Sequence, residues 1–531
     1  MEKINWLEWS KDAFEKAKKE DKPILLDIHG VWCHWCHVMD NTSYSDEIVI
    51  ETVNKKFIPI RADTDKRPDI NERYNQGGWP TTAFLAPDGT LLAGATYVPP
   101  AQLAKMLEQV SNYYARNKNN IKLEFHQHRP EKGEIKSVID EITDSMAASF
   151  DAEYGGFGVQ PKFPFSDAIE IALLNSSMQM ATKTLDNMLG IFDNVAGGFF
   201  RYSVTRSWDQ PHYEKMLESN AQLIANYLHA YILTNNEVYR QVACKTAEYL
   251  VNTLHGPDGF YGSQDADGEE KYYGKSLEER KKLQQPYSDK NIYVNLNAAA
   301  VSALLRLGTL DKKYQTIALK TLDDIAEKCY SEQGMCHYYD GKQNMFGLFS
   351  DNIYFVRALL DAYETTSKQL YLERAEKIMD FLVENFFDQG FLDKIKGEDE
   401  IGLLAVQNRN INDNSIATGC LMQLAFYAKA NYLETANAVL EIFAKSYAKY
   451  GLHAASYAIA VEKFLNRIEI SVSNMKCLQA IHALHDPRVM IKLDNDEEKF
   501  AGGYNIYICH KEKCMRFKDV EDAKKFLLVI K

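Results

Sequence analysis

Six short glycine-containing breaks set the strongest constraint on how this chain can fold. They are YGGF ending at Phe157, AGGF at Phe199, PDGF at Phe260, EQGM at Met335, DQGF at Phe391 and KYGL at Leu452. Each interval between breaks has room for two helices and a loop. The intervals hold amphipathic runs such as YEKMLESNAQLIANYLHAYILT, NAAAVSALLRLGTL and YLERAEKIMDFLVENFF. A helical pair cannot bury its apolar stripe alone, so recurring pairs must stack on one another. Six pairs predict a closed (α/α)6 toroid over residues 130–466. An open helical array would have more even units.

A chain of 531 residues exceeds what one core supports, and the stretches on either side of the ring read differently from it. The formal net charge is −13, opposite to the basic face that nucleic-acid binding needs, so no nucleic-acid partner is expected. No apolar run reaches the roughly 18 residues of a membrane helix. The opening MEKINWLEWSKDAFEKAKKEDK is charged and amphipathic rather than signal-like. The expectation is a cytoplasmic protein with no membrane partner. Nine cysteines over this length are not a disulfide scaffold, so a close pair needs its own explanation.

Residues 1–118 read as helix, strand KPILLDIHG, helix SDEIVIETVNKKF, strand FIPIRADT, a helical turn RPDINERYN, a hairpin around PDGT and a last helix. That order predicts a thioredoxin-like domain. Cys33-His34-Trp35-Cys36 follows the first strand and should open a helix. Free N–H groups and the helix dipole there favour a thiolate, and lowering a thiol from about 8.5 to about 7 makes half of it reactive at pH 7. His34 would add positive charge to the same end. Asp27, inside the strand, is costly to bury without a task and could accept a proton from Cys36. Pro80, after Gly77-Gly78-Trp79, is a candidate cis proline beside the pair. Two alternatives stay open: a Cys2His2 metal site drawing on His29 and His37, and two cysteines packed as small hydrophobes. The redox reading, with no metal and no cofactor, explains more of these features. It requires a sulfur that solvent can reach.

The loops after the breaks carry further chemistry. RYSVTRSWDQPHYEKM holds Arg201, Trp208, Asp209, His212 and Glu214, and YGSQDADGEE holds Asp265 and Asp267. Equivalent loops of a ring open on one face, so these groups could converge there as carboxylates with an aromatic wall, as sugar chemistry uses, or as a proton-abstracting pair. Asp265 and Asp267 could instead cap helices, and His212 with Glu214 could order the loop. The tail, 467–531, reads as a small α/β appendage in which Cys509 and Cys514 flank the turn HKEK.

CHWCHVMDNTSYSDE, ADTDKRPDINERY and GGWPTTAFLAPDGTLLAGATYVPP resemble the N-terminal signature of the spermatogenesis-associated, thioredoxin-domain-containing proteins. GGFGVQPKFP, GGFFRYS, PHYEKML, NAQL and DAD extend the resemblance into the ring. It implies a multidomain α/β plus all-α chain: a thioredoxin-like domain, then a six-hairpin toroid similar to sugar epimerases and six-hairpin glycosidases. It also implies roles for Asn297 and Asp351 at the mouth of the ring and a pair of cysteines near the end. Ser219, Leu296, Ser350 and Asn352 depart from the family pattern, which removes polar and aromatic groups from a would-be sugar site. The expected function is thiol–disulfide exchange by Cys33 and Cys36, with a disulfide-containing client or a small thiol as partner and the barrel binding substrate or client. The alternatives are a carbohydrate-active enzyme at the mouth, holding a carbohydrate-like ligand with the thioredoxin-like domain as regulator, and a non-catalytic binding or folding-assistance protein.

Overall fold

The computed structural model describes residues 3–123, 129–175, 177–266, 269–397, 400–511 and 513–530. They form two compact units. The first contains residues 1–129 together with Gln264–Glu269 and Lys396–Asn408, and the second contains the remainder.

The first unit is built on four strands, β1 (Ile24–His29), β2 (Ile58–Asp63), β3 (Thr81–Leu85) and β4 (Leu91–Ala95), in the order β2-β1-β3-β4. β1 is parallel to β2 and antiparallel to β3. Helix α1 (Lys11–Glu20) starts at Ser10, whose side chain accepts from the Ala13 N–H, and buries Ala13, Phe14 and Ala17. Helix α2 (His34–Asn41) leaves β1, α3 (Glu47–Lys56) is capped by Asp46, and α4 (Pro68–Tyr74) begins on its proline. The long α5 (Pro100–Asn117) closes the thioredoxin-like fold. The segment Lys396–Asn408, remote in sequence, completes this unit. Leu404 enters the core, Arg73 Nη2 donates to the Val406 carbonyl at 2.5 Å, and the Tyr74 hydroxyl accepts from the Leu403 N–H at 2.8 Å. Gly89 and Gly402 touch backbone to backbone there, and a Cβ on Gly89 would sit 2.4 Å from the Gly402 Cα.

In the second unit six inner helices form a closed ring in chain order: Ser166–Leu174, Leu217–Thr234, Val294–Leu307, Phe349–Thr366, Ile411–Tyr427 and Ala455–Leu465. Each packs on the next, and the last on the first. Outer helices back them, so the (α/α)6 toroid is observed. The glycine breaks end five of the outer helices in tight bridged turns, pairing Phe150 with Phe157, Phe192 with Phe199, His255 with Phe260, Tyr330 with Met335 and Phe387 with Phe391. The sixth differs: KYGL lies in a 3-10 stretch, Tyr447–Ala454, kinked at Gly451.

Two devices lock the turns. In the first two hairpins a buried lysine pins the double glycine: Lys162 bonds to Asp151 and the Gly155 carbonyl, both at 2.6 Å. Lys215 does the same with Asp193 at 2.7 Å and the Gly197 carbonyl at 2.8 Å. The second device is an asparagine at the fourth residue of an inner helix. Asn220, Asn297, Asn352 and Asn414 accept from the N–H of Phe199, Phe260, Met335 and Phe391 at 2.6, 2.7, 2.9 and 2.8 Å.

The tail belongs to the same unit as the ring. Its strands Ile468–Val472, Val489–Leu493, Ile506–His510 and Lys513–Phe517 are ordered second, first, third, fourth, as in the first unit. The first pair is again parallel and the others antiparallel. The tail therefore repeats the thioredoxin-like strand plan. Its first helix, Met475–His482, starts at Asn474, whose side chain accepts from the Cys477 N–H at 3.0 Å. Asn-Met-Lys-Cys here stands where Cys-His-Trp-Cys opens α2. Cys509 and Cys514 face each other across the last two strands and are joined as a disulfide.

Candidate active site around Cys33 and Cys36

Cys33 is the N-cap of α2, and its sulfur accepts from the Cys36 N–H at 3.2 Å. The two cysteines form a disulfide with Cα atoms 5.2 Å apart. Trp32 lies over Gly30 and donates from Nε1 to Asp65 Oδ2 at 2.6 Å. Its ring meets Trp79 edge-on, with centroids 5.6 Å apart. The Trp79–Pro80 peptide is cis. Trp35 is 45% exposed and packs on Tyr97 at 5.3 Å, while His34 sits between the cysteines against the edge of Trp35.

Asp27 is 1% exposed. Strand pairing puts Arg61 opposite it, and Arg61 Nε lies 2.6 Å from its Oδ2. The Tyr44 hydroxyl donates to its Oδ1 at 3.3 Å. Burial pushes the pKa of Asp27 up to about 6, with Arg61 pulling the other way. At neutral pH it is an anion with little margin, a state suited to taking up one proton.

The accessibility expected from sequence is not what is found: Cys33 is 2% and Cys36 4% exposed. His37, which the metal alternative requires, lies 2.9 Å from Asp265 Oδ2. Among the described residues no group of three or more His, Cys, Asp or Glu side chains is arranged to hold a metal ion.

The residues expected at the mouth of the ring are dispersed. Asp265 belongs to the first unit, next to the helix that carries the cysteines. Asp267 lies outside the described residues. Trp208 is fully buried with a φ of 64°; it packs on Gly156, where a Cβ would come within 2.5 Å of its ring. It is core, not an aromatic wall. Asn297 spends its amide on backbone, accepting from Phe260 and donating to the Phe260 and Tyr293 carbonyls. Asp209 is exposed and accepts from Thr205 within its own loop. Arg201, His212 and Glu214 do assemble: Arg201 Nη1 is 2.8 Å and His212 Nδ1 3.5 Å from Glu214 Oε2, and Tyr202 stacks on His212 at 4.6 Å. Burial pushes the Glu214 carboxyl up, but His212 and Arg201 outweigh it and hold it below the usual range. Asp351 is fully buried, with both oxygens 3.0 Å from His337 Nδ1. The His337 ring lies 5.6 Å from that of Tyr293, which donates to Asp289 at 2.8 Å. His337 carries no signal in sequence, because it sits mid-strand among apolar residues.

A CxxC pair at the N-cap of a helix leaving the central strand, with an acid buried in that strand, defines a redox-type thioredoxin-like module, here joined to a six-hairpin toroid. Residues 1–130 match the family model Thioredox_DsbH, described as "Protein of unknown function, DUF255". Half of the chain is similar to spermatogenesis-associated protein 20. It is 35% identical to the mouse protein over 308 residues, covering 50% of this chain and 39% of the mouse one. It is 33% identical to the human protein over 307 residues, with the same coverage. The chain thus spans about two fifths of the length of the curated relatives it matches. Among solved structures it is similar to a D-mannose isomerase, at 12% identity and a TM-score of 0.48, covering 62% of this chain and 98% of that one. Among the described residues no helix is long and apolar enough to cross a membrane.

Proposed function

We propose that the protein is a thiol–disulfide oxidoreductase whose barrel holds the substrate or client. The observation that carries this reading is Cys33 at the N-cap of α2, bonded to Cys36, on a helix that leaves the strand in which the Asp27 carboxylate is buried. In the reduced chain, the Cys33 thiolate attacks one sulfur of a partner disulfide, and the other partner sulfur leaves as a thiolate. Cys36 then loses its proton to Asp27 and attacks the Cys33 sulfur of the mixed disulfide. The second partner thiolate departs, and the Cys33–Cys36 disulfide closes. A thiol of the cell's small-molecule pool, or a dithiol protein, would supply the two electrons that reopen it. Both sulfurs are buried in the disulfide form, so the proposal requires a local opening that exposes Cys33 to its partner.

The test is equilibration in glutathione buffers of graded ratio, with free thiols trapped by alkylation and the modified residues located by mass spectrometry. Cys33 and Cys36 should convert together, in a single two-electron transition. A pair that stays fully oxidised or fully reduced at every ratio would end the proposal.

The carboxylate adds a second expectation. Asp27, at about 6, is ionised and able to accept a proton above that pH and protonated below it. Resolution of a mixed disulfide with a small thiol should therefore slow about tenfold from pH 7 to pH 5, beyond the slope of Cys36 itself. In Asp27→Asn this extra loss should vanish, with resolution slow at both pH values. Identical profiles for the two proteins would remove Asp27 from the mechanism.

A second reading, carbohydrate chemistry at the mouth of the ring, draws support from Glu214 with Arg201 and His212, and from His337 with Asp351. A buried carboxylate holding an imidazole is suited to moving a proton. Thioredoxin-like chemistry would then regulate the barrel.

A further inference from the structure

The tail repeats the thioredoxin-like strand plan, but its first helix opens on Asn474, so no cysteine pair stands where the first unit carries Cys33 and Cys36. Its disulfide lies in the last hairpin instead. Cys509 and Cys514 hold directly opposite positions on the antiparallel strands Ile506–His510 and Lys513–Phe517 and are bonded to each other. Lys513–Phe517 is the edge strand of its sheet. Cys514 is exposed and Cys509 half-buried, whereas Cys33 and Cys36 are both covered. Of the two disulfides, the one in the tail is open to solvent.

A structural staple is a poor account of this bond. A disulfide stabilises mainly by restricting the unfolded chain, and the effect grows with the loop that it closes. Here the cysteines are five positions apart, in a hairpin already paired at Ile506–Phe517, Tyr507–Arg516 and Ile508–Met515. The core beneath the sheet is built from Ile468, Ile470, Val472, Ile506 and Ile508, and neither cysteine belongs to it. Breaking the S–S bond therefore leaves two thiols facing each other on a formed ladder, and reclosure is intramolecular. Opposition alone does not make such a couple. Cys329 and Cys336 hold the positions next to the Tyr330–Met335 pair, yet both are buried and are free thiols. Access is what the tail pair adds.

The surroundings are basic. Residues 509–518 hold Lys511, Lys513, Arg516 and Lys518 against one acid, Glu512. All four cations are exposed, and among the described residues none of them makes a side-chain hydrogen bond or ion pair. Arg516 is two positions along the strand from Cys514, on the same face of the sheet, with its guanidinium 5.9 Å from the ring centre of Tyr507. Glu469, across the ladder from Cys509, is matched by Arg467 at 3.2 Å. Positive charge beside a disulfide draws in an anionic thiolate and stabilises the thiolate that leaves.

We propose that Cys509 and Cys514 are a second thiol–disulfide couple of the chain, which exchanges with small anionic thiols of the glutathione class. A glutathione thiolate attacks the Cys514 sulfur, the Cys509–Cys514 bond breaks, and Cys509 leaves as a thiolate that takes a proton from water. A second glutathione thiolate attacks the glutathione sulfur of the mixed disulfide. Oxidised glutathione and the Cys514 thiolate are released, so two electrons pass from two glutathiones to the chain.

The test uses the full-length chain carrying Cys33→Ser and Cys36→Ser, equilibrated in glutathione buffers of graded ratio. Free thiols are trapped by alkylation and located by mass spectrometry. Cys509 and Cys514 should convert together and reversibly, with an unchanged far-ultraviolet circular dichroism spectrum. Lys513→Gln with Arg516→Gln should slow opening by glutathione about threefold or more, and should leave opening by the neutral thiol 2-mercaptoethanol unchanged. A pair that stays oxidised, or stays reduced, at every ratio would overturn the proposal, as would a reduction that unfolds the tail. Equal glutathione rates before and after the two substitutions would overturn the assignment to anionic thiols. Should the double-serine chain misfold, the same titration of the parent chain separates the two couples, because they fall in different peptides. Failure of the tail pair therefore leaves Cys33 and Cys36 untouched, and failure of that pair leaves the tail untouched.

Discussion

Serine at Cys33 will abolish thiol–disulfide exchange, whereas serine at Cys36 will leave a chain that still attacks and stops at a mixed disulfide. The asymmetry follows from position. Cys33 caps α2, where unpaired N–H groups stabilise a thiolate, and Cys36 lies a turn further in, where resolution is intramolecular. With a small aromatic disulfide as partner, the Cys33→Ser chain should release no thiol above the uncatalysed rate. The Cys36→Ser chain should release one equivalent and retain one partner molecule on Cys33. The 2% exposure of Cys33 adds a rate. Reaction at a covered sulfur needs a local opening, and an opening costing about 1.4–2.8 kcal/mol slows alkylation about 10- to 100-fold relative to an exposed cysteine. Mass spectrometry of the reduced native chain during iodoacetamide treatment measures this directly. Alkylation of Cys33 that begins only when the chain is denatured would mean that the pair is structural.

The redox pair, the thioredoxin-like order and the ring were all legible because each writes a local pattern. CHWC follows an apolar run, PDGT sits between alternating strands, and glycine breaks recur between amphipathic helices. What stayed hidden depends on contacts remote in sequence. Asp265 reads as a barrel-loop carboxylate, yet its segment joins the first unit and meets His37; no residue near it announces that. Trp208 reads as an aromatic wall, but the bare face of Gly156 gives it a place in the core. The polar lining of the cavity inside the ring was missed for a related reason. Arg306, Arg357 and Asp361 look like solvated positions of amphipathic helices, and only closure of the ring turns that side inward. The repeated fold of the tail was obscured because its helix opens on Asn474 instead of a cysteine.

The four asparagine clamps could have been found, and they carry the second large effect. Asparagine is a poor helix-interior residue because its amide competes for backbone, so its recurrence at the fourth position of four inner helices needs a cause. Each amide oxygen accepts the N–H that ends a glycine break, and the amide nitrogen of Asn220 also donates to the Phe199 carbonyl at 3.1 Å and the Met216 carbonyl at 2.9 Å. Both Asn220 and Phe199 are buried, so water cannot take over. Asn220→Ala should therefore leave two backbone groups of Phe199 unsatisfied and destabilise the second unit by about 2–6 kcal/mol, at roughly 1–3 kcal/mol for each group. Asn220→Asp should not restore the loss, because a carboxylate cannot donate to the carbonyl and would bring a buried charge. Asp209→Ala, in an exposed loop, should stay within about 0.5 kcal/mol of the parent. Urea unfolding followed by far-ultraviolet circular dichroism distinguishes these cases. If Asn220→Ala and Asp209→Ala unfold at the same midpoint, the clamp is incidental, and the glycine turns are held by their buried lysines and apolar packing alone.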